Sequence, residues 1–353
     1  MSTDKQTADV NGTSPQQQSS SIGSNDDTVL AVPAYDVPFS YYMSDEAKQC
    51  SLNMMNNPHN WEVEGDDVQA YRDMWDKQYY AQRLRRAEKL YPTDSERQSI
   101  AGVAVDIITP KDRAPANDER VLINLHGGAF MIGATMGGLI ESIPVAHTAG
   151  IKVISVDYRQ GPEYKFPAAT EDVIAVYRAL LNDYEPNNIG IFGCSAGGLL
   201  TAQVVSALVD NAIAVPAAVG ILCSPADCRF DGDSRYFVPP LVGEPAPAPG
   251  DVGIGHMAYY LSDVDPDDPL VSPVESPDRL ACFPPTMLVT GIRAGELSSV
   301  VHTHSRLINA GVDARLHIWD GMWHGFFYDV QLPESREFFA ALASFFAKHL
   351  GSE

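Results

Sequence analysis

Asn188-Ile189-Gly190-Ile191-Phe192-Gly193-Cys194-Ser195-Ala196-Gly197-Gly198-Leu199-Leu200 is the stretch from which the rest of the chain can be read. A short apolar run, Ile189 to Phe192, ends in Gly-x-Ser-x-Gly and leads into a helix-like stretch, Leu199 to Leu208. Strand, sharp turn and helix in that order put a serine in strained backbone with its hydroxyl lifted clear of the sheet. The flanking glycines remove Cβ atoms that would clash. The following helix points its free N–H groups and the positive end of its dipole toward the serine. Gly-x-Ser-x-Gly alone is a weak signal, since loop glycines flank serines by chance. Its place between a buried strand and a small-residue helix strengthens it.

Outward from this turn the chain alternates strands and helices. Upstream, Ile100 to Ile108 alternates like an exposed strand, and Val121 to Leu125 is a buried one. A helix follows around Gly138 to Ala149, then a strand Lys152 to Val156 and a helix Ala168 to Leu181. Downstream come strands Ala218 to Cys223 and Thr286 to Thr290, helix Ser298 to Ala310, strand Ala314 to Trp319 and helix Ser335 to Leu350. This rhythm predicts a mostly parallel sheet covered on both faces. Two segments break it. Residues 38–92 read as helical, with Val68, Tyr71, Met74, Trp75 and Tyr79 at helix spacing; their aromatics, with Trp61 and Tyr80, suggest a lid as well as core. Residues 225–275 form a proline- and aspartate-rich insertion after a strand C-terminus, the edge at which open α/β sheets bind ligands. The expected organisation is a disordered tail (1–28), a cap segment (29–98) and a catalytic domain (99–353) whose insertion (225–275) adds to the cap.

Composition narrows the function. Lys and Arg number 24 against 46 Asp and Glu, a net charge of −22, which repels nucleic acid and anionic lipid. The five cysteines, Cys50, Cys194, Cys223, Cys228 and Cys282, are odd in number and lack paired metal-ligand spacing, so neither disulfides nor zinc is expected. Near the N-terminus, Val29 to Val32 is too short and too late for a signal-peptide core, and no apolar run approaches a membrane span. The expectation is a cytoplasmic protein without a bound metal, with a homodimer as one candidate assembly.

Two further motifs complete the chemistry. His126-Gly127-Gly128-Ala129-Phe130 follows the strand Val121 to Leu125 directly. Glycines at a strand end let backbone N–H groups approach an oxyanion, and the expected donors are Gly128 and Ala129, with Gly127 as a further candidate, together with Ala196. Among nine histidines, His324 follows a predicted strand across a glycine turn and lies C-terminal to the serine. His302 and His304 sit at i, i+2 and point to different helix faces; His126 reads as a brace of its own loop.

With Asp157 to Glu163, Phe166-Pro167-Ala168-Ala169, Asp268 to Pro273 and Gly321 to Phe326, these motifs resemble the hormone-sensitive-lipase-like esterases and lipases among the α/β-hydrolases, from about Val121 to His349. The resemblance implies an α/β-hydrolase fold with an eight-stranded sheet, a helical cap and carboxylic-ester hydrolysis without a cofactor. It also places Arg159 and Glu163 as charged braces of the oxyanion loop. One member departs from the family pattern: the usual aspartate after the strand Thr286 to Thr290 falls on Ala294, which cannot orient an imidazole. The candidate acids are Glu296, two residues on and favoured, and Asp320, nearer His324 but in the turn. The resulting reading is a serine carboxylesterase (Ser195, His324, Glu296) acting on small to medium apolar esters through an acyl-enzyme. A lactonase or amidase would use the same residues. A small-molecule receptor on an inactive hydrolase scaffold is the alternative that the missing aspartate favours and the retained serine, histidine and oxyanion loop oppose.

Overall fold

The computed structural model describes residues 36–56, 67–112, 117–248 and 257–351. The expected tail (1–28), Trp61, His59 and His256 lie outside the described residues. By its chain contacts the segment Pro38–Glu353 forms one compact unit.

Eight strands form one sheet: β1 (Thr93–Ile100), β2 (Val103–Pro110), β3 (Val121–Leu125), β4 (Lys152–Val156), β5 (Ile189–Cys194), β6 (Ala218–Leu222), β7 (Thr286–Arg293) and β8 (Ala314–Trp323). Their order is β1-β2-β4-β3-β5-β6-β7-β8. β2 runs antiparallel to both neighbours, and from β4 to β8 every pairing is parallel. Strands β3, β5 and β6 are buried at every residue, which is why they read as continuous apolar runs.

The helices are α1 (Asp45–Asn56), α2 (Val68–Trp75), α3 (Ala81–Leu90), α4 (Met136–Ala149), α5 (Ala168–Leu180), α6 (Ala196–Asp210), α7 (Ser234–Phe237), α8 (Met257–Tyr260), α9 (Pro277–Leu280), α10 (Leu297–Asn309) and α11 (Pro333–His349). A π-helical turn, Asp76–Tyr80, joins α2 to α3. Strand side chains alternate between two cores. Ile123, Ile191, Val219 and Leu288 pack with α5, α6 and α10, while Leu122, Phe192, Leu222 and Met287 pack with α3, α4 and α11.

One sequence expectation changes here. The single strand expected over Ile100 to Ile108 is a hairpin, β1 and β2 joined through Ala101 and Gly102, both at positive φ (51° and 85°). Thr93-Asp94-Ser95-Glu96-Arg97-Gln98-Ser99 is polar on both faces because β1 is an exposed edge, so no alternation announced it. The boundary drawn at 98/99 therefore falls inside a strand. As the sequence suggested, part of the aromatic cluster is core: Tyr80 is 2% exposed, Tyr79 meets Trp75 and Tyr80 edge-on, and Tyr79 and Tyr80 both meet Tyr328 edge-on.

Candidate active site

Ser195 caps the N-terminus of α6 at φ 56°, ψ −122°, half-buried and held by its N–H donating to Leu222 O (2.8 Å). Such a conformation in a non-glycine residue costs roughly 1–3 kcal/mol and persists only where its surroundings over-determine it. Those surroundings are crowded backbone. A Cβ at Gly197 would lie 1.8 Å from the Leu125 carbonyl oxygen, so the first turn of α6 rests directly on the end of β3.

That same end of β3 carries the loop expected to bind an oxyanion, called the oxyanion loop for its expected role. His126 is buried and stacks on Tyr158 (centroids 4.3 Å apart), its Nδ1 2.8 Å from Gly127 O; Tyr158 Oη donates to His126 O (2.6 Å). Burial lowers the His126 pKa, which suits a neutral structural brace. Gly128 (φ 120°), Ala129 (54°) and Phe130 (55°) follow at positive φ. A Cβ at Gly128 would meet Ile132 O at 2.1 Å. Three successive positive-φ residues make a tight turn at the end of β3, which glycine at 128 eases. Among the described residues neither the Gly128 nor the Ala129 N–H donates to a protein acceptor, and the Ala196 N–H stands at the open first turn of α6. Gly127 differs from the expectation: its N–H donates to Glu141 Oε1 (2.8 Å) and is therefore committed on the far side of the loop.

His324 and Glu296 come together across the sheet edge. β7 and β8 pair parallel to Gly291/Trp319, then shift register before Arg293/Trp323, and beyond this irregularity Glu296 sits at the N-terminus of α10. Its Oε2 is 3.0 Å from His324 Nδ1, and its Oε1 accepts from Thr290 Oγ1 (3.2 Å). Glu296 is 5% exposed; the His324 side chain keeps 46% of its surface and faces open space. Burial within the protein mass lowers the imidazole pKa, but the Glu296 carboxylate outweighs it by charge and hydrogen bonding. Smaller contributions come from Cys223 and from Glu244 of the insertion, and together they raise His324 to about 9. Ala294 is fully buried. Asp320 lies in β8, not in a turn, and accepts a hydrogen bond from the Ser40 hydroxyl.

Cys223, at φ 49° just past β6, accepts from the Gly325 N–H through Sγ (3.4 Å). Its ligand atom and those of Glu296 and His324 lie within 4.8 Å of one another, so a soft divalent cation could be held there only in competition with the His324–Glu296 contact.

Of the two expected braces, Glu163 is tied to the oxyanion loop through a partner the sequence did not mark, whereas Arg159 is not. Arg159 pairs with Asp172 and Glu171 on α5. Glu163 pairs with Arg72 on α2, a residue that nothing in the local sequence marked. Arg72 donates from Nε to Met131 O (2.8 Å), from Nη2 to Gly161 O (3.0 Å) and from both Nη atoms to Glu163. One arginine thus joins the N-terminal helices to the oxyanion loop. The insertion reaches the same loop through Tyr260, whose ring stacks on Phe130 (centroids 4.5 Å apart).

A model of the alpha/beta hydrolase fold family matches residues 122–328. A Mycobacterium tuberculosis protein named putative acetyl-hydrolase LipR is 32% identical over 265 residues, covering 73% of this chain and 82% of its own. The solved esterase E25 superposes with a TM-score of 0.79 at 30% identity, over 91% of this chain and 98% of its own. A solved esterase of the bacterial hormone-sensitive lipase family gives a TM-score of 0.74 at 27% identity, over 87% and 99%.

Proposed function

The chain belongs to the α/β-hydrolase fold family, alongside the hormone-sensitive-lipase-like esterases that its motifs resemble, and we propose that it is a serine carboxylesterase. The observation that carries this reading is the 3.0 Å contact of His324 Nδ1 with the buried Glu296 carboxylate, on a chain whose elbow holds Ser195 at positive φ. That contact supports Glu296 as the triad acid in place of an aspartate at Ala294, and so weighs against an inactive receptor.

Neutral His324 takes the proton from Ser195 as Oγ attacks the ester carbonyl, and Glu296 stabilises the imidazolium that forms. The Gly128, Ala129 and Ala196 N–H groups stabilise the tetrahedral oxyanion; one such donor is commonly worth about 10²–10³ in rate. Imidazolium then protonates the departing alcohol, leaving Ser195 acylated. Water, deprotonated by His324, attacks the acyl carbonyl and releases the acid. The acetyl-hydrolase name of LipR supports short acyl groups, and the aromatic insertion supports apolar ones. Five free cysteines support a reducing compartment such as the cytoplasm. Among the described residues no helix is long and apolar enough to cross a membrane.

The test is an acyl-length series of p-nitrophenyl esters beside a lactone and an aryl amide. Expected is a kcat/KM maximum among the short esters, with lactone and amide well below it. Lactone or amide turnover exceeding every ester would overturn the assignment.

A further inference from the structure

Glu141 is a carboxylate on α4, 2% exposed, which the mechanism above does not use. Among the described residues no lysine or arginine forms an ion pair with it. Burial pushes its pKa up to about 7, against the pull of its hydrogen-bond donors. An acid in the core without a cation is a poor choice for stability alone, since an apolar side chain of similar size would avoid the desolvation. Its partners explain its place.

Three hydrogen-bond donors converge on it, with the Cys194 backbone close by. The Gly127 N–H gives to Oε1 (2.8 Å), Tyr328 Oη to the same oxygen (2.6 Å) and Asn124 Nδ2 to Oε2 (2.8 Å). Asn124 is held in turn, its Oδ1 accepting from Ser155 Oγ (2.9 Å). Gly127 opens the oxyanion loop, Cys194 immediately precedes Ser195, and Tyr328 lies four residues after His324. Asn124 is on β3, which leads into the oxyanion loop.

We propose that Glu141 is a positioning residue for ester hydrolysis: one buried carboxylate ties the oxyanion loop, the strand leading into it and the segment after the base to a single point behind the site. The proposal rests on the serine-esterase reading. By accepting from Gly127, the carboxylate holds that peptide with its N–H pointing away from the cleft. The Gly128 and Ala129 N–H groups that follow have no protein acceptor among the described residues and are left for the oxyanion. Through Tyr328 the same oxygen holds the stretch after His324, so oxyanion donors and base keep a common frame. Substrate touches none of these donor groups, so the effect should fall on the transition state and spare ground-state binding.

Glu141→Gln retains size and one acceptor oxygen, but places an amide N–H₂ among groups that all donate. Tyr328→Phe removes one tie and leaves the acid in place. Each is compared with the wild type for kcat and KM on a short p-nitrophenyl ester, for Ki of a trifluoromethyl ketone, which forms a charged adduct in the oxyanion site, and for thermal midpoint. For Glu141→Gln the expected result is a kcat lowered about 10- to 100-fold, KM within about twofold, and trifluoromethyl ketone affinity lost in parallel with kcat. Tyr328→Phe should show the same split at about three- to tenfold, and it carries the test if Glu141→Gln does not fold. Overturning results are a folded variant with wild-type kcat, or a loss that disappears once rates are divided by the titrated fraction of active sites. A wild-type protein that hydrolyses no ester would instead bring down the esterase reading, and this proposal with it.

Discussion

Replacing Glu296 by glutamine should alter the pH dependence of the reaction as much as its speed. In the native site one carboxylate oxygen accepts from His324 Nδ1 and the other from Thr290 Oγ1. A glutamine can keep that arrangement, its carbonyl facing Nδ1 while its N–H₂ turns to the Thr290 hydroxyl, which can accept. The useful tautomer is then retained and only the charge is lost. The intrinsic cost should be on the order of 10³, below the ~10⁴ found where an amide imposes the wrong tautomer. The carboxylate also raises His324 to about 9. A base acts only when neutral, so wild-type kcat/KM should climb with pH until the raised pKa is passed. At pH 7, two units below, only about one molecule in a hundred carries a neutral His324. Without the carboxylate its two raising contributions vanish and the pKa drops back toward the ordinary histidine value, so the variant's base is largely neutral at pH 7. The apparent loss should therefore be about tenfold at pH 7 and grow to about 10³ above pH 9. A pH-stat assay on a short alkyl ester between pH 5.5 and 10 measures both limbs. Asp320→Asn serves as control and should leave the profile unchanged, since that carboxylate binds Ser40. An acid limb at the same pH in wild type and Glu296→Gln would refute the coupling of Glu296 to the base.

Other substitutions test the scaffold and the nucleophile. Ser195→Ala should leave a folded protein with ester turnover reduced on the order of 10⁴-fold or more; near-wild-type rates would displace Ser195. Arg72→Ala removes two hydrogen bonds to the backbone around the oxyanion loop and the Glu163 pair, and should cost about 1–3 kcal/mol in thermal unfolding while lowering kcat more than it raises KM. An unchanged kcat would mean that the N-terminal helices do not act on the loop. Gly197→Ala forces a Cβ to 1.8 Å from Leu125 O and should destabilise by at least ~3 kcal/mol, whereas Gly295→Ala, with nothing within 4 Å, should be tolerated in a thermal melt.

The parts of the molecule legible in its sequence are those whose signal is local. Buried parallel strands such as Val121–Leu125 and Lys152–Val156 announce themselves as apolar runs, and Ser195 is marked by the glycines that let α6 rest on β3. His324 follows from chain order after the last strand. Glu296 was readable as a candidate but not separable from Asp320, because the register shift between β7 and β8 that brings residue 296 to the imidazole depends on strand pairing. Strand β1 was illegible for a different reason: an exposed edge strand needs no apolar face. Arg72 and Glu141 carried no local signal at all. Arg72 meets its partners 59 to 91 positions away, and the Tyr328 that binds Glu141 is 187 positions away. Each is an ordinary charged residue on a helix until the fold assembles its partners.

The nucleophile is tested most directly by reacting the protein with an alkyl fluorophosphonate and mapping the adduct by peptide mass spectrometry, alongside residual hydrolysis of a short ester. Activated serine attacks phosphorus, fluoride departs, and the enzyme is left phosphonylated and unable to turn over. Expected is one adduct per chain on the peptide containing Ser195, with hydrolysis lost in proportion to labelling and no adduct on Ser195→Ala. An unlabelled protein without hydrolysis would contradict the esterase reading, and an adduct on any other residue would contradict the assignment of Ser195.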